Sequence, residues 1–165
     1  MPQDRQSRLD SVAALAVKFE ATTGLPAKLL LAQWAVESEW GEKPVGHANY
    51  FGIKKAARHT LSCSTVTQEV INGKRVTKTL EFADYPTLAN SCSDYVWLIT
   101  HGAPYQKAWN SYLQDKNFDN FAHAVLAVYA TAQYGQLAIQ IANQENIHKA
   151  LEKAYANSIL PAQTT

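Results

Sequence analysis

The chain has 165 residues, of which 47% are hydrophobic and 18% charged, with a net charge of +1. That balance excludes a disordered chain and the strong field of a polyanion binder, so nucleic acid is not an expected partner, and the length suits one domain with a real core. No run reaches the length of a membrane span, and the first residues lack the apolar centre of a secretory signal.

Ser7 can cap a first helix whose apolar stripe is Leu9, Val12, Ala13, Ala16 and Phe19, ended by Thr23-Gly24-Leu25-Pro26. A second helix is expected from Pro26 to Trp40, because proline suits a first turn and Gly41 follows the last periodic residue. At 3.6 residues per turn, Leu30, Gln33, Trp34 and Glu37 share one face, which sets a carboxylate in line with an apolar stripe. Burial there disfavours the charged form and raises the pKa, as a general acid working near neutral pH requires. The ordinary alternative is a glutamate at the rim of the stripe whose head reaches water or a base. Glu39 lies about 200° round the helix from Glu37 and cannot share its cleft.

Residues 42–55 lose periodicity and form a loop with Gly46, Asn49 and Gly52 beside Tyr50 and Phe51. The β-branched runs 65–71 and 74–80 flank Asn72-Gly73, a strong hairpin signal. Thr65, Thr67, Glu69 and Ile71 fall on one face, which leaves Glu69 as that strand's acid. Helical patterning resumes at Leu88, with Tyr95, Leu98 and Ile99 as core, and ends at His101-Gly102-Ala103-Pro104. A short helix over Tyr105–Leu113 follows, then one opened by Asp119 or Asn120 and running to Tyr129, a break over Ala130–Gly135, and a last helix from Gln136 to Ala156, with a frayed tail from Ser158 to Thr165. With no repeat or linker, residues 1–165 read as one α+β domain: a mainly helical body with a small inserted β-hairpin.

Cys63 and Cys92 flank the hairpin and either bridge its two ends or serve as small buried hydrophobes. The five histidines, with His47 nearest the acid, show no metal-type spacing, and neither metal nor cofactor is assigned. Trp40, Tyr50 and Phe51 flank Glu37 and can stack on sugar faces in a cleft, whereas Trp34 reads as core, as Phe51 also can.

These stretches resemble a known family. Ala35-Val36-Glu37-Ser38-Glu39-Trp40-Gly41 is similar to the "ALESGWG" stretch of the glucosaminidase-type peptidoglycan hydrolases, glycoside hydrolase family 73. Asn49-Tyr50-Phe51-Gly52-Ile53-Lys54 resembles the family's "N-x-F-G-I-K" loop, Thr67-Gln68-Glu69 with Asn72-Gly73 its "T-x-E…-G" hairpin, Phe82-Ala83-Asp84-Tyr85 its "F-R-x-Y" close, and Tyr129-Ala130-Thr131 its "YAT". The resemblance implies a lysozyme-like helical body and an endo-β-N-acetylglucosaminidase that cuts the β-1,4 bond between N-acetylglucosamine and N-acetylmuramic acid. It maps the general acid onto Glu37 and a second acidic residue onto Glu69, in keeping with the two groups glycoside hydrolysis normally needs. It also implies a functional tyrosine near 129–134. The family pattern "YATDP-x-Y" departs here into Ala132-Gln133-Tyr134, without Asp-Pro and one residue shorter, so Tyr129 maps more directly than Tyr134; of the two, Tyr134 is expected as the catalytic tyrosine and Tyr129 as a substrate-binding one, alongside Trp40, Tyr50 and Phe51, the alternative being that either tyrosine is core.

Two other readings stand beside this one. A muramidase or lytic transglycosylase shares the helical body and a single helix-borne glutamate, but needs no second carboxylate on a hairpin. A non-catalytic wall-binding module would keep the fold without turnover. A catalytic domain without leader or wall-binding repeats also resembles type VI secretion toxins and phage lysis enzymes. That setting implies synthesis in the cytoplasm, delivery to the periplasm or cell wall, peptidoglycan strands as substrate and, for a toxin, a periplasmic immunity protein.

Overall fold

Asp4 opens α1 (Arg5–Thr23), its carboxylate accepting the Ser7 amide at 2.7 Å, and Gly24 closes it in the left-handed conformation. The cap falls three residues before the expected Ser7 because Asp4 reaches the third free N–H of the first turn. The computed structural model describes residues 4–130 and 132–159, with 67–71 and Ala132 described by their backbone alone.

The second helix, α2 (Ala27–Glu37), is shorter than its periodicity predicts. Glu39, Trp40 and Gly41 all take positive φ, so the chain leaves the helix immediately after Glu37. Ser38 makes this stop: its hydroxyl donates to the Trp34 carbonyl at 2.5 Å and accepts the Gly41 amide at 2.9 Å. A Cβ at Gly41 would stand 2.7 Å from the Trp34 ring, so the turn closes only on glycine. From Leu29 to Ala35 every residue of α2 is buried. The helix is therefore buried all round, with Gln33 as its buried polar residue, and runs through the core rather than presenting one stripe. It packs against α1 and, further on, against α3 (Leu88–His101), α6 (Ala132–Ala142) and α7 (Glu145–Ile159).

Between α2 and α3 lies an antiparallel hairpin, β1 (Ser62–Ile71) and β2 (Lys74–Ala83), in which Ile71 opposes Lys74. Asn72 and Gly73 both have positive φ, the backbone of a tight two-residue turn. Each strand is three residues longer at its base than the β-branched composition suggests, because the base is paired a second time. Lys55 N–H donates to the Glu81 carbonyl at 3.1 Å, and Ala83 N–H to Ile53 at 2.9 Å. Asn49, fully buried, fixes this junction. Its amide donates to the carbonyls of Ile53 (2.9 Å) and Ala83 (2.8 Å), and its oxygen accepts from the Phe51 and Ile53 amides.

Thr87 caps α3, a 3₁₀ turn (Ala103–Tyr105) leads into α4 (Gln106–Asp115), and Asn117 caps α5 (Phe118–Tyr129). The expected break at 130–135 begins at Ala130, and α6 is already helical at Ala132; Thr131 lies outside the described residues. Gly135 sits inside α6, where a Cβ would meet Leu126 of α5 at 3.4 Å. The single last helix expected over 136–156 is two, α6 and α7, interrupted at Asn143-Gln144, and only residues 160–165 of the expected tail lie outside the described part. The α+β class, a helical body with an inserted hairpin, is as expected. Both cysteines are free thiols: Cys92 is buried in α3, with burial pushing its pKa up to about 12, and Cys63 lies at the hairpin base against Gly46 and Asp84.

Candidate active site

Glu37 is the last residue of α2, half-buried, at the end where the free carbonyls of the helix point. Burial raises its pKa to about 7, and among the described residues no donor or cation offsets that cost. The helix macrodipole, negative at this end, acts in the same direction. Glu37 is thus a carboxyl that holds its proton near neutral pH.

The wall beside it comes from the 49–53 loop. Gly52, at φ +62°, brings its backbone against the acid, where a Cβ would stand 3.4 Å from Glu37 Oε2. The loop is pinned from behind: Tyr129, at the end of α5, donates its hydroxyl to the Phe51 carbonyl at 2.5 Å, and the Phe51 ring stacks on Tyr95 with centroids 4.5 Å apart. Tyr95 meets Tyr129 edge to face at 5.7 Å. Burial pushes the pKa of both tyrosines well up, and the neighbouring Tyr105 hydroxyl and Glu37 carboxylate add to it. These rings therefore stay neutral donors. In front of the wall runs a groove of about 450 Å³, lined by Gly52, Lys54, Arg58 and Leu98 with Tyr105 and Tyr129. Gly52 joins the acid to this groove, lining it while standing against the Glu37 carboxyl, which does not itself line it.

A larger depression of about 650 Å³ over α3 and the hairpin base is lined by a closed ion-pair net. Asp94 accepts Arg58 through two bonds at 3.0 and 3.1 Å, His59 at 2.9 Å and the Tyr85 hydroxyl at 2.5 Å, and these donors outweigh its burial and hold its pKa low. That net ties residues 58–59 to α3. Among the described residues no group of three or more histidine, cysteine, aspartate or glutamate side chains is placed to hold a metal ion.

The structure brings Glu37, Gly52 and Tyr129 together, and separates other residues expected beside them. Phe51 is a correction: its ring is fully buried against Tyr95, so it builds the wall and cannot face a sugar. Trp40 turns towards α1, edge-on to Trp34 at 6.3 Å and under the Arg5 guanidinium at 5.1 Å. Tyr50 is half-buried on the core, its amide donating to Ser91 Oγ at 3.1 Å. Tyr134 stands 53% exposed on α6. Glu69 pairs with Val76 in the hairpin, and its side chain lies outside the described residues. Trp34 is core, Glu39 is exposed and paired with Lys43, and His47 is exposed, its amide donating to Asp84. Tyr95 and Tyr105 were legible in sequence only as core or helix-end residues; Gln33, one turn before Glu37, was legible only as a polar residue on the same helix face.

Known proteins share this arrangement of helices and hairpin. The catalytic domain of the autolysin Auto from Listeria monocytogenes superposes with a TM-score of 0.74 at 24% identity, over 91% of this chain and 89% of that one, a likeness of fold. In sequence the chain is 30% identical over 147 residues to a probable N-acetylmuramidase of Lactococcus lactis subsp. cremoris, covering 84% of this chain and 33% of that protein. It is 31% identical over 148 residues to the peptidoglycan hydrolase FlgJ of Pseudomonas aeruginosa, covering 85% and 36%. The chain thus spans about a third of the length of these curated relatives. The model of the glucosaminidase family, described as mannosyl-glycoprotein endo-beta-N-acetylglucosaminidase, matches residues 13–147, from α1 through the acid and the hairpin to α7, and the chain belongs to that family.

Proposed function

We propose that the chain is a peptidoglycan hydrolase, an endo-β-N-acetylglucosaminidase that cleaves the β-1,4 bond between N-acetylglucosamine and N-acetylmuramic acid with Glu37 as general acid. The observation that carries this is the half-buried Glu37 carboxyl, without a partner among the described residues and protonated up to a pH of about 7, standing against the Gly52 backbone that lines an open groove. Its proton goes to the glycosidic oxygen as the bond to the anomeric carbon breaks. Glu69 is proposed as the second carboxylate, which activates water or supports the oxocarbenium-like state. Support for peptidoglycan as the substrate comes from relatives named for acting on it. A relative named as a probable N-acetylmuramidase favours muramidase activity as the second reading.

Digestion of purified peptidoglycan, borohydride reduction of the new ends and mass spectrometry separate these readings. Reduced N-acetylglucosamine ends are expected; reduced muramic acid ends would make it a muramidase, and 1,6-anhydro ends a transglycosylase. Glu37→Gln keeps the shape but has no proton to give, and turnover should fall by about 10²- to 10⁴-fold. The setting in this proposal is the periplasm or cell wall, as an antibacterial effector of the type VI kind or a lysis enzyme, with an immunity protein as partner in the first case. Export to the periplasm behind an added leader should lyse cells, and the Glu37→Gln form should not.

A further inference from the structure

Three buried polar atoms of Gln33 on α2 and Tyr95 on α3 have no hydrogen-bond partner among the described residues. Gln33 is 0% exposed, and neither its amide nitrogen nor its oxygen has a hydrogen-bond partner among the described residues. Tyr95 is 0% exposed, and its hydroxyl is likewise without one. A buried polar group left unsatisfied costs about 1–3 kcal/mol, so two such side chains in one place are not neutral filling. They are also neighbours: the Gln33 amide lies close enough to lower the Tyr95 pKa, though outside hydrogen-bond geometry. Both face Glu37. Gln33 precedes it by four residues on the same helix face, and the Tyr95 hydroxyl feels the Glu37 charge from α3.

We propose that Gln33 and Tyr95 are positioning residues that close a hydrogen-bonded chain onto Glu37 when it gives up its proton: the Tyr95 hydroxyl donates to Gln33 Oε1, and Gln33 Nε2 donates to the Glu37 carboxylate. The inference rests on Glu37 being the general acid. A glutamine side chain at i−4 reaches a carboxylate by rotation about its own torsions, with no backbone movement. The Tyr95 ring cannot move, being clamped by Phe51 at 4.5 Å and Tyr129 at 5.7 Å, so it is a fixed terminus for the chain. One small side-chain shift then provides partners for three groups at once: the Tyr95 hydroxyl, the Gln33 amide and the carboxylate left by proton donation. In the protonated resting state the chain stays open and the Glu37 proton remains free for the leaving oxygen. The other titratable groups facing this cluster are the hydroxyls of Tyr105, Tyr129 and Tyr85, all neutral donors in the working range.

The test uses Gln33→Met and Tyr95→Phe, each close in volume to the parent, and reads the pH dependence of kcat on peptidoglycan. Loss of a hydrogen bond to a charged group makes Glu37 a weaker acid. In Gln33→Met, kcat should therefore fall by about tenfold below pH 6, and the alkaline limb should move to higher pH. Tyr95→Phe should move both in the same direction by less, and the double variant should match Gln33→Met, because Tyr95 acts through Gln33. The Glu37 carboxyl pKa, read from its ¹³C signal assigned by difference against Glu37→Gln, should rise in both single variants and serves where a variant is too slow to assay. An alkaline limb and a Glu37 pKa unchanged in Gln33→Met overturn the chain even if stability changes. Glu37→Gln at full activity would overturn the general-acid assignment instead, whereas an inactive Glu37→Gln with an unshifted Gln33→Met removes the chain alone.

Discussion

Gly52 lies flat against the Glu37 carboxylate, so that a Cβ on residue 52 would stand 3.4 Å from Oε2 while the backbone there holds φ at +62°. Alanine at 52 is strained by the backbone angle, whereas its methyl would rest in ordinary contact with the carboxyl. The left-handed conformation costs a non-glycine residue about 1–2 kcal/mol, and the methyl group adds a contact against the Glu37 carboxyl. Gly52→Ala should lower the unfolding free energy by roughly that amount in urea melts and reduce kcat by more than the stability loss explains. A variant with the parent's activity would show that the 52 wall does not set the position of the acid.

The folded protein keeps the Glu37 proton up to a pH of about 7, whereas the unfolded chain releases it near the ordinary value of 4.5. Between those values the unfolded state binds fewer protons than the folded one, so stability falls as pH rises through the window and levels off above it. The contribution is full below pH 4.5 and lost by about pH 7. Glu37→Gln has no such loss. It should exceed the parent by on the order of 2 kcal/mol at pH 8, after allowance for the half-exposed setting, and match it at pH 4. Urea melts at the two pH values check this, and a stability gap independent of pH would show that Glu37 is not desolvated.

What sequence revealed of this site was local, and what it hid was not. Helical periodicity and the Gly41 stop place Glu37, and Asn72-Gly73 places the hairpin turn, because each signal lies within a few residues of its consequence. The role of Tyr129 depends on a bond to Phe51 across 78 residues of sequence, and the burial of Phe51 depends on stacking against Tyr95 in another helix. An aromatic next to a catalytic motif reads the same whether it faces ligand or core. The division between α6 and α7 was hidden for another reason: Asn143-Gln144 contains neither glycine nor proline, and apolar spacing runs on through it.

Tyr129 and Tyr134 can be separated by removing one oxygen from each. Tyr129→Phe leaves the Phe51 carbonyl without its 2.5 Å donor at the end of α5 and should cost about 1–3 kcal/mol, with a fall in kcat as the wall beside Glu37 loosens. Tyr134 is 53% exposed, and among the described residues its hydroxyl makes no such bond, so Tyr134→Phe should leave stability unchanged. Activity then assigns the roles: a Tyr134→Phe enzyme with parental kcat leaves the tyrosine function to Tyr129, and a severe loss at parental stability places Tyr134 in turnover.

Asn49 joins the acid's wall to the hairpin, with four hydrogen bonds from one buried amide. Its two N–H groups serve the carbonyls of Ile53 and Ala83, and its oxygen serves the amides of Phe51 and Ile53. Aspartate fits the same volume but, when ionised, is acceptor-only, so two carbonyls lose their donors and face a buried negative charge. Asn49→Asp should therefore destabilise by about 3 kcal/mol or more at pH 8. Acidification restores one O–H donor and removes the charge, so part of the loss should return near pH 5. Asn49→Leu, which cannot titrate, should be destabilised to the same extent at both pH values. In both variants the Ala83 amide, bonded to Ile53 at 2.9 Å, should exchange with solvent faster than in the parent, because the hairpin base is no longer held to the 49–53 loop. Unchanged Ala83 protection would mean that the backbone pairs at 53–55 and 81–83 hold the junction without the asparagine.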